Sequence, residues 1–269
     1  MTIRATRSGA VTVCAASLLF GLPGSAAAST GSWSGSAGSS SGSAGSSSGS
    51  AGSSAGSGPC GPAVATPFNP GGWRSYEIAA PRYVDGPDSA PGTGSGALKF
   101  ETNPVAPKIQ YFQPTATPLR QTPNLAYTMY VDHGLEPAFQ LRLTGANRTD
   151  DDPTGFTTLV WQPHRNGTAT TRQWTTATAL ENGLWWSTRP IAGTPGGQSQ
   201  PVSLATITAA NPNARITAYG INLGTSATPE KSYISTVTFG CTTWTFAPGS
   251  TGSGSAGSSS GSAGSSSAG

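Results

Sequence analysis

The chain has 269 residues, 9% of them charged, with fourteen Lys or Arg against eleven Asp or Glu and a formal charge of +3. That balance lacks the basic stripe of a nucleic-acid surface and the cationic segment that docks on anionic lipid, so neither partner is expected. Thirty-seven Gly and twenty-two Pro, with abundant Ser and Thr, fit an exported β protein with a neutral polar surface.

Residues 1–28 have the layout of a secretory signal: Arg4 and Arg7, an apolar run Ala10–Leu22, and small residues Ala26-Ala27-Ala28 for cleavage after Ala28. The alternative is a membrane anchor, but the apolar run is short for a bilayer, so no membrane insertion of the mature chain is expected. Cys14 leaves with the signal. Taking Arg4 and Arg7 from the fourteen basic residues leaves twelve against eleven acidic ones, close to neutral. The expected location is outside the cell.

Residues 29–58 carry a seven-residue unit, GSAGSSS, from Gly35, and the unit returns within 248–269 at Gly254–Ser260 and Gly261–Ser267. No apolar residue beyond Ala occupies the repeat, so it has no seam for a coiled coil. Gly/Ser chains gain little from burial, and both stretches are expected to be disordered, flexible linkers. Gly38-Ser39-Ser40-Ser41-Gly42 matches G-x-S-x-G, but a nucleophile elbow needs a strand before it and a helix after it, and a repeat supplies neither.

The remainder, 59–247, reads as one domain. Cys60 and Cys241 bracket it, and in an exported chain such a pair is expected to form a disulfide. Two free thiols or an intermolecular bridge are the alternatives.

Within the domain, Trp73–Ala80 reads as a first strand after an extended Pro59–Gly72, followed by a long loop Pro81–Gly96. Ala97–Thr102 follows, then Ile109–Phe112, a short strand ended by Pro114. Asn124–Val131 places Leu125, Tyr127, Met129 and Val131 on one face. In Pro137–Pro163, Phe139, Leu141 and Leu143 alternate with Gln140, Arg142 and Thr144, and a polar run Gly145–Gly155 leads to a second strand, Phe156–Trp161. This hairpin is expected at the middle of the domain. Gln173–Thr178 and Leu184–Arg189 are further strands. Pro201–Asn211 is the single helical candidate, with Pro201 at its start and Pro212 beyond its end. Arg215–Leu223, Tyr233–Phe239 and Thr242–Phe246 complete the pattern. Short strands separated by turn signals predict an all-β, antiparallel β-sandwich or jelly roll with one short helix.

The succession FTTLVWQP, RQWTTATALENGLWWSTR, SLATITAANPNARITAYGINLG and YISTVTFGCTTWTF resembles secreted β-sandwich domains of actinobacterial-type exported proteins. These domains are mostly uncharacterised. The likeness spans roughly Gly96–Phe246, and the overall shape is similar to a carbohydrate-binding-module jelly roll. It implies a role facing glycan or another surface polymer. The sequence departs from the pattern at Asn222 and at the Thr/Ser loop Gly224–Pro229, where a more Gly-rich turn is expected.

Aromatic residues carry the strongest chemical signal. Tyr130, Trp161, Trp174, Trp185 and Trp186 fall on or beside predicted strands. An indole stacks on the apolar C–H face of a sugar, and planar amides or a guanidinium pair with its hydroxyls. Gln140, Arg142 and Gln162 supply those groups if they share an open sheet face with Tyr130, Trp174, Trp185 and Trp186. Adjacent strand residues point to opposite faces, so one of Trp185 and Trp186 is expected in the core. Asp150, Asp151 and Asp152 form the one acidic cluster and, with Asn147 and backbone carbonyls, offer oxygen ligands for a structural Ca²⁺. They lack EF-hand spacing, and a solvated loop tip is the alternative reading.

His133 and His164 have no metal-ligand spacing and read as loop histidines. Glu77, Glu101, Asp132, Glu136 and Glu181 are available carboxylates, but nothing in the sequence pairs them as a glycosidase requires. Asn147-Arg148-Thr149 and Asn166-Gly167-Thr168 are sequons. The expectation is a secreted, monomeric, non-catalytic domain binding polysaccharide or cell-wall glycan, with no cofactor. The alternatives are a structural or surface-display protein and, behind it, a polysaccharide-active enzyme.

Overall fold

The computed structural model describes residues 60–249 apart from 78, 89, 93–95, 123, 151, 169–170 and 225–228. The signal segment, both Gly/Ser repeats and the pattern Gly38–Gly42 lie outside the described residues. In chain order the strands are β1 (Gly61–Ala65), β2 (Arg74–Ser75), β3 (Arg82–Asp85), β4 (Gly96–Glu101), β5 (Ile109–Pro118), β6 (Leu125–His133), β7 (Ala138–Thr144), β8 (Thr157–Trp161), β9 (Trp174–Ala177), β10 (Leu184–Ser187), β11 (Val202–Ser203), β12 (Arg215–Leu223), β13 (Lys231–Phe239) and β14 (Thr242–Phe246). One α-helix, α1 (Leu204–Ala210), lies between β11 and β12.

The strands form two seven-stranded sheets. In the first, β13 pairs along its length with β6, which pairs with β9. On its other side β13 is shared: its first half pairs with β4 and its second half with β14. Strand β3 extends β4, and β1 extends β14. The second sheet runs β11-β10-β8-β7-β12-β5-β2, antiparallel throughout. The β7–β8 hairpin is at its centre, as the alternation of Phe139, Leu141 and Leu143 predicts.

Alternation decides what lies between the sheets. Leu98, Phe100, Leu125, Tyr127, Met129, Ile234 and Val237 of the first sheet join Phe139, Leu141, Leu143, Leu159, Tyr219 and Ile221 of the second in one buried cluster. Aromatic contacts cross the interface: Tyr127 lies 5.8 Å from Phe139 and 6.0 Å from Trp161, and Tyr219 stacks on Phe239 at 4.1 Å. The buried Tyr127 hydroxyl donates to the Pro137 carbonyl at 2.7 Å, so its polar end is satisfied. The architecture is the expected all-β sandwich with one helix.

The structure departs from the sequence expectation at four strands. Strand β1 lies in a stretch read as extended and turn-rich, and it pairs in parallel with β14, the single parallel pair among the described residues. Strand β3 lies inside the loop read over Pro81–Gly96. Only Arg74 and Ser75 of Trp73–Ala80 pair as a strand. Pro114 does not end β5, which continues to Pro118. β2 covers only Tyr111 and Phe112 of β5, so Pro114 lies where one side of the strand is an edge and needs no amide there.

The helix is shorter than Pro201–Asn211 because Val202 and Ser203 pair with Trp185 and Leu184 of β10. Ser203 becomes the N-cap, its hydroxyl accepting the Thr206 amide at 3.1 Å. Leu204 and Ile207 are buried. Beyond the helix, the Asn211 side-chain amide donates to the Ile207 and Ala192 carbonyls, and its oxygen accepts the Asn147 amide at 2.8 Å. The hairpin loop is thereby tied to the helix end.

Cys60 and Cys241 are joined by a disulfide, with Cα atoms 4.9 Å apart. They stand one residue before β1 and β14.

Candidate functional site

The outward face of the second sheet is organised by one row. Trp186, Val160, Gln140, Gly220, Phe112 and Arg74 stand opposite one another across β10, β8, β7, β12, β5 and β2. Gly220 is required there. A Cβ would stand 2.1 Å from the Tyr111 carbonyl oxygen and 3.0 Å from the Phe112 ring, so the close approach of β5 to β12 excludes a side chain.

At one end of the face, Arg142 lies between two rings. Its guanidinium carbon is 4.4 Å from the centre of Phe112 and 4.1 Å from that of Tyr76. Contacts of this kind contribute on the order of 1 kcal/mol each. Nη2 of Arg142 donates to Gln110 Oε1 at 3.1 Å, and Gln110 Nε2 donates to Gln140 Oε1 at 3.2 Å. Burial pushes the Arg142 guanidinium below its ordinary value, yet an arginine stays charged at neutral pH. Tyr76 remains exposed above this stack. The Arg142 Nε and the Asn222 side-chain oxygen are buried atoms with no hydrogen-bond partner among the described residues. Asn222 stands opposite Gln110 on the same face.

At the other end, the half-buried Trp186 donates its indole N–H to Gln162 Oε1 at 3.0 Å, and Arg165 Nε donates to the same oxygen at 2.9 Å. Gln162 is extended backbone directly after β8, so it shares the face of Val160 two residues earlier. Trp186 on β10 and the stack over β12 are three strands apart, on the order of 14 Å from strand spacing. The face thus has aromatic groups at both ends, with Gln140 between them on β7 and with Asn222 and Gln110 beside the stack on β12 and β5.

The structure therefore brings together Gln140, Arg142, Gln162 and Trp186 of the sequence-derived set. Trp185 is a correction: it is fully buried, 6.3 Å from Phe139, with its indole N–H donating to the Leu180 carbonyl at 2.9 Å. The period-two alternation that turns Trp186 outward turns Trp185 inward. Tyr130 and Trp174 are on the outward face of the first sheet, 5.5 Å apart. There Trp174 Nε1 donates to the Pro87 carbonyl at 2.7 Å and the Tyr130 hydroxyl to Asp88 at 3.4 Å, so the loop after β3 engages both. They do not join the other four.

Gln110, Tyr76 and Asn222 belong to the face and were missed. Gln110 and Asn222 occupy outward positions of legible strands, beside inward Ile109, Tyr111, Ile221 and Leu223, and that alternation is a usable signal. Tyr76 has none, because its position depends on a bend after β2.

The acidic loop is arranged around an arginine. Arg148 makes a two-pronged pair with Asp150, donates through Nη1 to Asp152 at 2.5 Å, and reaches the Phe156 carbonyl at 2.9 Å. Its side chain is 4% exposed. The Arg148 hydrogen bonds hold the Asp150 carboxyl below its ordinary value, and hydrogen bonds from Thr154 lead the same effect at Asp152. A cation bound between these carboxylates would have to displace the guanidinium. Asp151 lies outside the described residues. Among the described residues no three His, Cys, Asp or Glu side chains gather around one point.

The remaining candidates are dispersed. His164 meets Glu136 at 3.3 Å and His133 meets Asp132 at 3.4 Å. The sequon amides are engaged: Asn147 Nδ2 donates to the Ala210 carbonyl at 2.7 Å, and Asn166 Nδ2 to those of Gln162 and Leu184. A cleft of about 290 Å³ lies beside the ends of β3 and β4, lined by Arg82, Lys99, Glu101, Asn103 and His133 among others. The Lys99–Glu101 ion pair, 2.7 Å long, stands in its wall.

No protein-family model, curated protein or solved structure matches this chain. Among the described residues no helix is long and apolar enough to cross a membrane.

Proposed function

We propose that the chain is an exported, non-catalytic binding protein whose second sheet takes an extended, neutral polysaccharide, such as a cell-wall glycan, across its outward face. The observation that carries this reading is the juxtaposition of Trp186 and the Tyr76–Arg142–Phe112 stack at two ends of one face, with Gln140 between them and Gln110 and Asn222 beside the stack. Sugar rings present apolar faces to the aromatic groups and hydroxyls to the amides. A polymer lying over both ends would run across the strands and contact several rings.

The test is co-sedimentation of the full secreted chain with insoluble polysaccharides and bacterial cell walls. The reading requires that at least one polymer retain the chain and that Trp186→Ala and Tyr76→Ala each reduce retention by about tenfold or more, while Trp174→Ala on the opposite sheet leaves it unchanged. Retention that survives both substitutions rejects this face. Absence of retention on every polymer favours the display-protein reading, which the Cys60–Cys241 closure of the domain supports.

A further inference from the structure

The disulfide, the parallel strand pair and the two chain exits share one line. Strands β1 and β14 run in the same direction, with Gly61 opposite Thr242 and Ala65 opposite Phe246. Cys60 and Cys241 form the next rung back, and the Gly61 amide donates to the Cys241 carbonyl at 2.9 Å. At the far end the Ala247 amide donates to the Ala65 carbonyl at 3.0 Å. The chain therefore enters the domain at the disulfide end of this pair and leaves it at the opposite end.

We infer that the Cys60–Cys241 disulfide is a mechanical bypass that carries tension between the two ends of the chain past the domain. Tension entering at Cys60 crosses the 4.9 Å between the two Cα atoms and continues along β14 to residue 247. β14 is already extended, so pulling on it lengthens nothing. Residues 61–240 form a covalently closed loop outside this path, and every strand of the proposed binding face lies within that loop. The inference concerns load and does not depend on what that face binds.

Reduction changes the path. Tension on Cys60 then draws β1 backward while tension on the C-terminal side draws β14 forward. Their five rungs are loaded along the strand axis, all together rather than one by one. When they fail, the whole domain enters the path. With the cysteines 181 positions apart in the chain, the chain gains on the order of 600 Å in length.

The experiment holds the full chain by its two ends and stretches it, oxidised and after reduction with alkylation, in the same force range. The oxidised chain should show only the elastic response of the chain outside the domain, with no release step. The reduced chain, and a Cys60→Ser/Cys241→Ser variant, should be longer at high force by on the order of 600 Å. That difference is read whether the reduced domain opens in one step or has already unfolded before loading. A release of that size from the oxidised chain overturns the inference, and so does a reduced chain that stays at the oxidised length throughout.

Discussion

Trp185 and Trp186 are neighbours in the chain and lie on opposite sides of one sheet. The first is sealed in the sandwich core with its N–H on Leu180, and the second faces outward with its N–H on Gln162. Their substitutions should therefore separate folding from binding. Trp185→Ala should cost about 3–5 kcal/mol of stability, the range for emptying a buried aromatic site. Trp186→Ala should cost less than about 1 kcal/mol and remove polysaccharide retention. Urea unfolding paired with co-sedimentation measures both, and equal stability losses in the two variants would contradict this division.

Arg142 is useful because it is flat as well as charged. Arg142→Lys keeps the charge but cannot fill the space between the Phe112 and Tyr76 rings or reach Gln110 in the same plane. The expected outcome is a stability change of about 1 kcal/mol with a several-fold weaker retention on polymer. If lysine restores full retention, charge alone is what the face uses.

Gly220 tests the packing beneath the face. A methyl group there would collide with the backbone of β5, and a collision with backbone cannot be relieved by rotating a side chain. Gly220→Ala should lower stability by about 1–3 kcal/mol and disturb retention through the displaced Phe112. Calorimetry would show the loss, and an unchanged melting temperature would mean that β5 and β12 are free to separate.

The Arg148 loop should respond to acid. The folded-state values of Asp150 and Asp152 are lowered, by Arg148 at the first and chiefly by Thr154 at the second. A lowered carboxylate contributes stability that is full above its unfolded value, about 3.9, and is lost as pH falls through the lower folded values. Thermal unfolding between pH 6 and about pH 2 should show this loss, and Arg148→Ala should reduce it. Because the guanidinium already holds both carboxylates, millimolar Ca²⁺ should leave the melting temperature unchanged. A calcium-dependent rise would show that the ion displaces Arg148.

The hairpin Ala138–Trp161 and the strand Thr242–Phe246 were legible because their inward residues repeat every second position beside turn residues, and in Arg215–Leu223 the same repeat runs from Tyr219 to Leu223, after a bulge between Ile216 and Ala218. Strands β1 and β3 were not. GPAVA begins with Gly and Pro and has little apolar side chain, and RYVD is too short to show a period. Both owe their strand geometry to partners, β14 and β4, far away in the chain.

The candidate face divides in the same way. Gln140 and Arg142 could be assigned to one side of a strand from spacing alone, and so could the opposition of Trp185 and Trp186. Which aromatic residues accompany them is a matter of sheet membership. Tyr130 and Trp174 have the same local pattern as Trp186, but β6 and β9 pair with β13 while β10 pairs with β8. Sequence by itself determined the all-β class, the inward and outward positions of the long strands, and the two cysteines that close the domain. Tertiary structure alone decided which outward positions meet, because alternation along a strand is a local property of backbone geometry, whereas the neighbour across a strand is chosen by pairing between segments up to 181 residues apart.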